Sequence, residues 1–150
     1  MIKAVLFDLD GTLINTNPLI MKTFELTLKY FLPKQVYTKE RLMDFIGPTL
    51  KQTFSSIWEE KTDEMIEYYR DINRKLHDEM VEIYPTVKDG LLALASQNIL
   101  LGIVSSKKKD MVLHGLKHFQ IDQYFKCIVC ADDVKEPKPN KEPILMGMNK

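Results

Sequence analysis

Three short apolar runs, each followed by polar residues, restrict the folds that this chain can adopt. The runs are 4–7, 101–104 and 127–131, and the first stops at Asp8. A continuous apolar run of this length is typical of a strand that is buried on both faces of a parallel sheet. Apolar residues at helical spacing precede the second run and separate it from the third. We therefore predict an α/β fold with a Rossmann-like parallel sheet.

The predicted sheet also indicates where a ligand would bind. Right-handed crossovers make the three strands parallel, so their carboxyl ends lie on one side of the sheet. Ligands of open α/β sheets bind outside those ends. We therefore expect functional residues directly after the apolar runs.

Residues 15–85 interrupt the alternation of strands and helices, because they show helical periodicity and no convincing strand. We predict a small helical bundle inserted into a discontinuous α/β core of residues 1–14 and 86–150. Three apolar stripes at helical spacing support the bundle: Ile20, Phe24, Leu28 and Phe31; Leu50, Phe54, Ile57 and Trp58; and Met65, Tyr69, Ile72, Leu76 and Met80.

The charge balance argues against polyanionic partners. Basic and acidic residues both total 21, so no net field attracts nucleic acid or an anionic membrane. Residues 1–7 are too short a stretch before Asp8 for a signal peptide or a membrane span. We expect a cytoplasmic protein that binds neither nucleic acid nor a membrane.

Two aspartates, Asp8 and Asp10, follow the first apolar run. A spacing of two places both carboxylates on the same side of the strand, and Gly11 then allows a sharp turn. Neighbouring carboxylates repel each other, so such a pair is usually kept for a cation or a shared proton. The pattern therefore indicates a cation site or acid–base chemistry.

The string Asp-Leu-Asp-Gly-Thr-Leu at 8–13 resembles motif I of the haloacid dehalogenase-like (HAD) superfamily. The second motif of that superfamily is a Ser or Thr that ends the next core strand, which Ser105 matches in Gly-Ile-Val-Ser-Ser-Lys. The third is a Lys before Pro, which Lys138 matches, although Lys141 replaces a proline that usually follows. The resemblance covers nearly the whole chain.

The resemblance implies a magnesium-dependent phosphohydrolase. Asp8 is expected to attack phosphorus and form an aspartyl-phosphate, while Asp10 acts as general acid and base. Mg²⁺ is expected on the Asp8 carboxylate and the Asp10 backbone carbonyl. The Ser105 hydroxyl and the Ser106 backbone N–H, at a helix start, are expected to hold phosphate oxygens. Lys138 is expected to neutralise charge on Asp8 and on the phosphate.

The helical insertion resembles the cap that this branch of the superfamily carries between motifs I and II. Residues 45–50 resemble its substrate-facing loop, in which Gly47 and Pro48 would face the leaving group. Such a loop is typical of phosphoglycolate phosphatases and pyrophosphatases, so a small phosphomonoester or pyrophosphate is the expected substrate. Two alternatives stay open: a catalytically incompetent fragment that keeps a phosphate-binding pocket, and a related phosphomutase.

The acidic fourth motif of the superfamily, which supplies another magnesium ligand, has no counterpart before Lys150. We therefore expect a truncated chain whose core sheet is incomplete at its C-terminus. The missing strand would leave residues 4–7 as a sheet edge, and an unpaired apolar edge favours pairing with another chain. Self-association through that edge and weak magnesium binding are expected.

A run of three lysines and a pair of cysteines are interpreted without a functional role. Lys107, Lys108 and Lys109 form a cationic run at a predicted helix start, and solvated side chains explain it better than anion steering.

Cys127 and Cys130 lie in an apolar run without a second pair to complete a zinc site. We predict that both thiols are buried and structural.

Overall fold

The computed structural model describes residues 2–150, which form two compact units. The first, here called the core unit, consists of the chain up to Asn15 together with Glu82–Lys150. The second, here called the helical unit, is Thr16–Val81. No helix in the described part of the chain combines the length and apolar character needed to cross a membrane.

Strands occur only in the core unit, as far as residues 2–150 are concerned. The strands are β1 (Ala4–Phe7), β2 (Ile14–Asn15), β3 (Glu82–Ile83), β4 (Leu100–Val104) and β5 (Phe125–Val129). The helices are α1 (Asn17–Phe31), α2 (Lys39–Met43), α3 (Leu50–Ile57), α4 (Thr62–Met80), α5 (Val87–Ser96), α6 (Lys109–His118) and α7 (Glu142–Met148).

Strands β1, β4 and β5 form one parallel sheet in the order β1–β4–β5. The predicted α/β fold with a parallel sheet is confirmed. The central strand β4 is the most deeply buried, because Ile103 and Val104 are almost fully covered. Helix α7 packs against β4 and β5. All three strands run the same way, so the residues that follow them lie at one edge of the sheet.

The boundaries of the helical unit differ from the predicted insertion of 15–85. Strands β2 and β3 pair with each other in antiparallel fashion, with Ile14 opposite Ile83 and Asn15 opposite Glu82. Periodicity could not reveal these strands, because each is only two residues long. Their pairing keeps residues 82–85 with the core unit, and the helical unit therefore ends at Val81.

The two cysteines occupy different surroundings. Cys130 is fully buried, and burial raises the pKa of its thiol to about 12, so the thiol stays protonated at neutral pH. Cys127 is only half-buried, and its thiol donates to the Gly147 carbonyl at 3.8 Å. The prediction of two buried thiols thus holds for Cys130 but is wrong for Cys127, which lies beside α7.

The helical unit has its own apolar core, centred on Phe24 of α1. The Phe24 ring lies 4.7 Å from that of Tyr69, 5.2 Å from that of Phe45 and 5.4 Å from that of Phe54, between centroids. These tilted ring contacts join α1, α3 and α4. The three predicted apolar stripes correspond to these helices, whereas α2 was not predicted because only Leu42 of its five residues is buried.

Helix α4 buries polar residues that an apolar stripe does not reveal. Ile72, Leu76 and Met80 of the predicted stripe are half-buried, whereas Asn73 and His77 are the fully buried residues of this part of the helix. Asn73 donates to Thr23 Oγ1 at 3.4 Å, and His77 Nδ1 lies 2.7 Å from Asp78 Oδ1. Hydrogen bonds of this kind offset the cost of burying polar groups.

Replacement of Phe24 by alanine should destabilise the helical unit by about 3–5 kcal/mol, because the side chain is almost fully buried among three other rings. Val36 is 93% exposed, so Val36→Ala is a suitable control that should change stability by less than about 0.5 kcal/mol. Denaturant unfolding followed by circular dichroism measures the free energy of unfolding of both variants. Equal stability of the two variants would contradict this account of the core.

Strand β1 forms an edge of the sheet, since within residues 2–150 it pairs only with β4. Val5, Leu6 and Phe7 are each half-buried, which leaves part of their apolar surface exposed at this edge. We expect the isolated chain to self-associate through β1, because its outer backbone groups can pair with a strand of another copy. Light scattering measures this, and a monodisperse monomer at high concentration would contradict it.

Candidate active site

Residues that follow β1 and β4 form a polar cluster at the carboxyl edge of the sheet. Asp8 and Asp10 follow β1, and Ser105 follows β4. The chain turns directly after Asp10, where Gly11 adopts a φ of +76° and its N–H donates to the Ile14 carbonyl at 2.8 Å. A positive φ favours glycine, so the turn agrees with the predicted role of Gly11.

Asp8 forms an ion pair with Lys138, although the two residues lie 130 positions apart. The Lys138 ammonium donates to Asp8 Oδ1 at 2.8 Å and to the Val104 carbonyl at 3.1 Å. The side chains of Asp8 and Lys138 are 44% and 30% exposed, so the pair remains accessible from solvent. Lys138 therefore places a positive charge beside an accessible carboxylate at the ends of β1 and β4.

The loop that carries Lys138 is held by Glu142, the first residue of α7. The Glu142 carboxylate accepts hydrogen bonds from the Lys135 and Glu136 backbone N–H groups at 3.0 and 2.9 Å. These bonds lower the pKa of Glu142, because they favour its charged form. A turn from Pro137 to Asn140 completes the loop, so the absence of proline at Lys141 does not prevent a defined turn.

Asp10 is paired with Lys107, a contact that the sequence did not indicate. The Lys107 ammonium donates to Asp10 Oδ1 at 3.1 Å, and the two side chains are only 17% and 19% exposed. The interpretation of the cationic run as three solvated lysines is therefore wrong. Lys109 also has a partner, Asp133, at 3.1 Å, whereas the side chain of Lys108 is exposed.

No local signal could have identified Lys107. Its partner lies 97 positions earlier in the chain, and its two neighbours are also lysines. Only the parallel pairing of β1 with β4 brings the loop after each strand close to the other.

Ser105 is buried directly after β4. Its N–H donates to the Val129 carbonyl at 2.9 Å, and its Oγ accepts from the Lys107 N–H at 3.1 Å. A hydroxyl has one proton to donate besides its acceptor positions, so this bond leaves the Ser105 hydroxyl free to act as a donor. The geometry is therefore compatible with the predicted contact to a phosphate oxygen.

Ser106 does not lie at a helix start, contrary to prediction. Helix α6 begins only at Lys109, where Asp132 Oδ1 accepts from the backbone N–H at 3.1 Å and anchors the first turn. The helix dipole therefore gives no support to an anion at Ser106. Ser106 Oγ is itself buried and has no hydrogen-bond partner among residues 2–150.

Gly47 and Pro48 lie in the helical unit, in the segment between α2 and α3. Gly47 has a φ of +114°, and both residues are exposed. Phe45, in contrast, is buried against Phe24, so this end of the predicted substrate-facing loop belongs to the core of the helical unit. Thr49 caps α3 through a reciprocal pair of hydrogen bonds with Gln52. Gly47 and Pro48 are therefore the exposed residues of the predicted loop, and Ile46 beside them is half-buried.

Sequence comparisons relate nearly the whole chain to proteins of one family. The model of the family described as haloacid dehalogenase-like hydrolase matches residues 5–150. The chain is 48% identical to the pyrophosphatase PpaX of Anoxybacillus flavithermus over 95% of its own length and 66% of that protein. It is 45% identical to PpaX of Listeria monocytogenes, over 99% of the chain and 68% of that protein. The chain thus spans about two thirds of the length of these relatives.

A comparison of structures gives the same result. A predicted phosphatase from Clostridium acetobutylicum is 30% identical in sequence, and its crystal structure superimposes with a TM-score of 0.85. The match covers 99% of this chain and 70% of that protein. The fold, the family model and the similarity to PpaX agree, and the chain belongs to the haloacid dehalogenase-like hydrolase family.

Proposed function

We propose that this protein is a magnesium-dependent phosphohydrolase that forms an aspartyl-phosphate on Asp8. The observation that carries the proposal is the pairing of Asp8 with Lys138 at 2.8 Å, at the carboxyl edge of a parallel sheet. An ammonium at this distance offsets repulsion between an anionic nucleophile and an anionic phosphate. A small phosphomonoester or pyrophosphate is the proposed substrate, and the similarity to PpaX supports pyrophosphate.

The first step transfers the phosphoryl group to the protein. An oxygen of the Asp8 carboxylate attacks phosphorus, and the bond between phosphorus and the leaving oxygen breaks. Asp10, in its protonated form, gives its proton to the leaving oxygen. Ser105 donates its hydroxyl proton to a phosphate oxygen, and Lys138 balances the negative charge around phosphorus.

The second step restores Asp8. A water molecule attacks the phosphorus of the aspartyl-phosphate, and the bond from phosphorus to the Asp8 oxygen breaks. Asp10, now a carboxylate, takes the proton from this water and is ready for another cycle. The protein thus needs two carboxylates with separate roles, and the structure gives each of them a different lysine partner.

The donor set at this edge of the sheet fits Mg²⁺. Magnesium prefers oxygen ligands, and the proposed ligands are the accessible Asp8 carboxylate and the Asp10 backbone carbonyl. Lys138 contacts Oδ1 of Asp8, and the side chain is 44% exposed, so the carboxylate is open to a cation. The ion would supply positive charge that polarises the phosphoryl group.

A phosphate-release screen over small phosphate esters and pyrophosphate tests the proposal. The screen should be run with and without Mg²⁺, on this chain and on a version extended at its C-terminus to the length of its relatives. We expect release that depends on Mg²⁺ and is lost with a chelator. Absence of release from every substrate, in both forms and with Mg²⁺ present, would contradict the proposed activity.

We also propose a cytoplasmic location, which cell fractionation tests.

The helical unit is proposed to govern the choice of substrate through Gly47 and Pro48. Because Phe45 and Thr49 have structural roles, the sharpest change is Ile46→Ala with Pro48→Ala, which keeps Gly47 at its positive φ. We expect the relative rates among substrates to change by about 10-fold, since altered apolar contacts discriminate by this order. Val36→Ala is the control. A uniform loss across all substrates would contradict this assignment.

A further inference from the structure

We propose that Lys107 is a positioning residue that holds Asp10 in place for proton transfer. The inference rests on the proposed function, because it assumes that Asp10 is the general acid and base. The contact between the Lys107 ammonium and Asp10 Oδ1, at 3.1 Å, is the starting observation.

The surroundings of this ion pair distinguish it from an ordinary surface contact. The side chains of Lys107 and Asp10 are 17% and 19% exposed, whereas those of the pair formed by Lys75 and Asp71 are 67% and 56% exposed. Water and salt weaken exposed pairs, and they reach a covered pair much less. The contact can therefore restrict the Asp10 side chain to one orientation.

The backbone of Lys107 is anchored on two sides. Its N–H donates to Ser105 Oγ at 3.1 Å, next to the end of β4, and its carbonyl accepts from the Ala131 N–H at 3.1 Å, next to the end of β5. Its side chain then reaches Asp10, beyond the end of β1. Lys107 thus connects the loops that follow all three strands of the parallel sheet.

Asp10 needs such support because it lies in a turn and not in a regular strand. The next residue, Gly11, adopts a φ of +76°, and the backbone from Leu9 to Ile14 is held by short turn hydrogen bonds. These bonds fix the backbone but do not orient the Asp10 carboxylate. A displacement of a reacting group by about 1 Å can reduce a rate by about 100-fold.

Asp8 and Asp10 are paired with different lysines, so a change to one lysine should affect only the aspartate that it contacts. Lys138 contacts Asp8, and Lys107 contacts Asp10. Loss of the Lys107 ammonium leaves the pair of Asp8 and Lys138 in place. The nucleophile should therefore be preserved. The defect in kcat/KM, which covers the steps up to transfer of the phosphoryl group to Asp8, should fall on proton transfer to the leaving group.

A series of phosphate esters with different leaving groups tests the inference. General-acid catalysis matters most for basic leaving groups such as alkoxides and least for acidic phenols. For Lys107→Met we expect kcat/KM to fall about 100-fold on alkyl phosphates and less than about 3-fold on aryl phosphates with acidic phenols. On alkyl phosphates the loss should lie in kcat, with KM nearly unchanged, and Lys107→Arg should recover most of it.

Lys108→Met is the matched control, because the adjacent lysine is exposed, and its rates should equal those of the unaltered protein. Lys107→Gln, which keeps most of the stem without the charge, should repeat the pattern of Lys107→Met. Thermal unfolding of each variant is measured alongside, so that poor folding is recognised.

Three results would overturn the inference. The first is an equal loss of kcat/KM on all esters by Lys107→Met and Lys107→Gln, which would indicate a merely structural role. The second is full activity of both variants on alkyl phosphates, and the third is the same selective loss in Lys108→Met. Absence of phosphate release by the unaltered protein would instead overturn the proposed function, and this inference with it.

Discussion

Asp8→Asn should abolish turnover, with phosphate release falling by at least about 1,000-fold. An amide is a poor nucleophile and cannot replace the carboxylate that attacks phosphorus. It is also a weaker ligand for a divalent cation, and its neutral oxygen gives the Lys138 ammonium no opposite charge at 2.8 Å. Phosphate release on the substrate with the highest rate measures the effect.

The stability of Asp8→Asn should change little, because the Asp8 side chain is 44% exposed and contributes no core packing. Asp89→Asn is a matched control, since Asp89 is exposed on α5 and lies outside the cluster at the sheet edge. The control should keep full activity. Substantial phosphate release by Asp8→Asn would show that another residue is the nucleophile.

Lys138→Met should reduce phosphate release by about 100- to 1,000-fold, the range found when a group that stabilises transition-state charge is removed. The methionine side chain fills similar space but lacks the ammonium that contacts Asp8 Oδ1 and the Val104 carbonyl. Most of the loss should appear in kcat, because charge on the phosphoryl group changes during the transfer.

Two further substitutions define the role of Lys138. Lys138→Arg should recover only part of the activity, because a planar guanidinium cannot reproduce both contacts of the compact ammonium. Lys141→Met should behave like the unaltered protein, since Lys141 is exposed. A Lys138→Met protein that retains activity within threefold would contradict the assigned charge role.

The parallel sheet and the positions of its functional residues could be predicted, because they follow from short-range patterns. Continuous apolar runs identify buried strands, and polar residues directly after them must lie at the sheet edge. Asp8 and Ser105 follow from this rule, and the resemblance to the HAD superfamily adds Lys138. The structure places Lys138 against Asp8, as the resemblance implies.

The contact between Asp10 and Lys107 could not be predicted. Lys107 belongs to a run of three lysines, and no feature of the neighbouring sequence distinguishes it from Lys108. The three lysines differ only through tertiary contacts, which pair Lys107 with Asp10 and Lys109 with Asp133. A run of like charges usually lies on a solvated surface. Here the run follows a strand at a sheet edge that also carries acidic residues, and two of its lysines pair with them.

The helical unit shows a second limit of the sequence patterns. Apolar periodicity identified α1, α3 and α4, because each of these helices buries large apolar side chains, such as Phe24 in α1. It did not identify Asn73 and His77, which are buried and hydrogen-bonded near the end of α4, although Ile72, Leu76 and Met80 of the predicted stripe are half-buried. Polar residues on a buried face cannot be identified from hydropathy, because their partners lie on other helices or are local.

The central claim is that Asp8 carries the phosphoryl group during turnover, and acid quenching tests it most directly. The protein is mixed with a substrate labelled with ³²P in the phosphoryl group and Mg²⁺, then quenched in acid within milliseconds, and its peptides are analysed. We expect label on the peptide that contains Asp8, and none on Asp8→Asn. Turnover without any labelled protein, or with label on a different residue, would contradict the account.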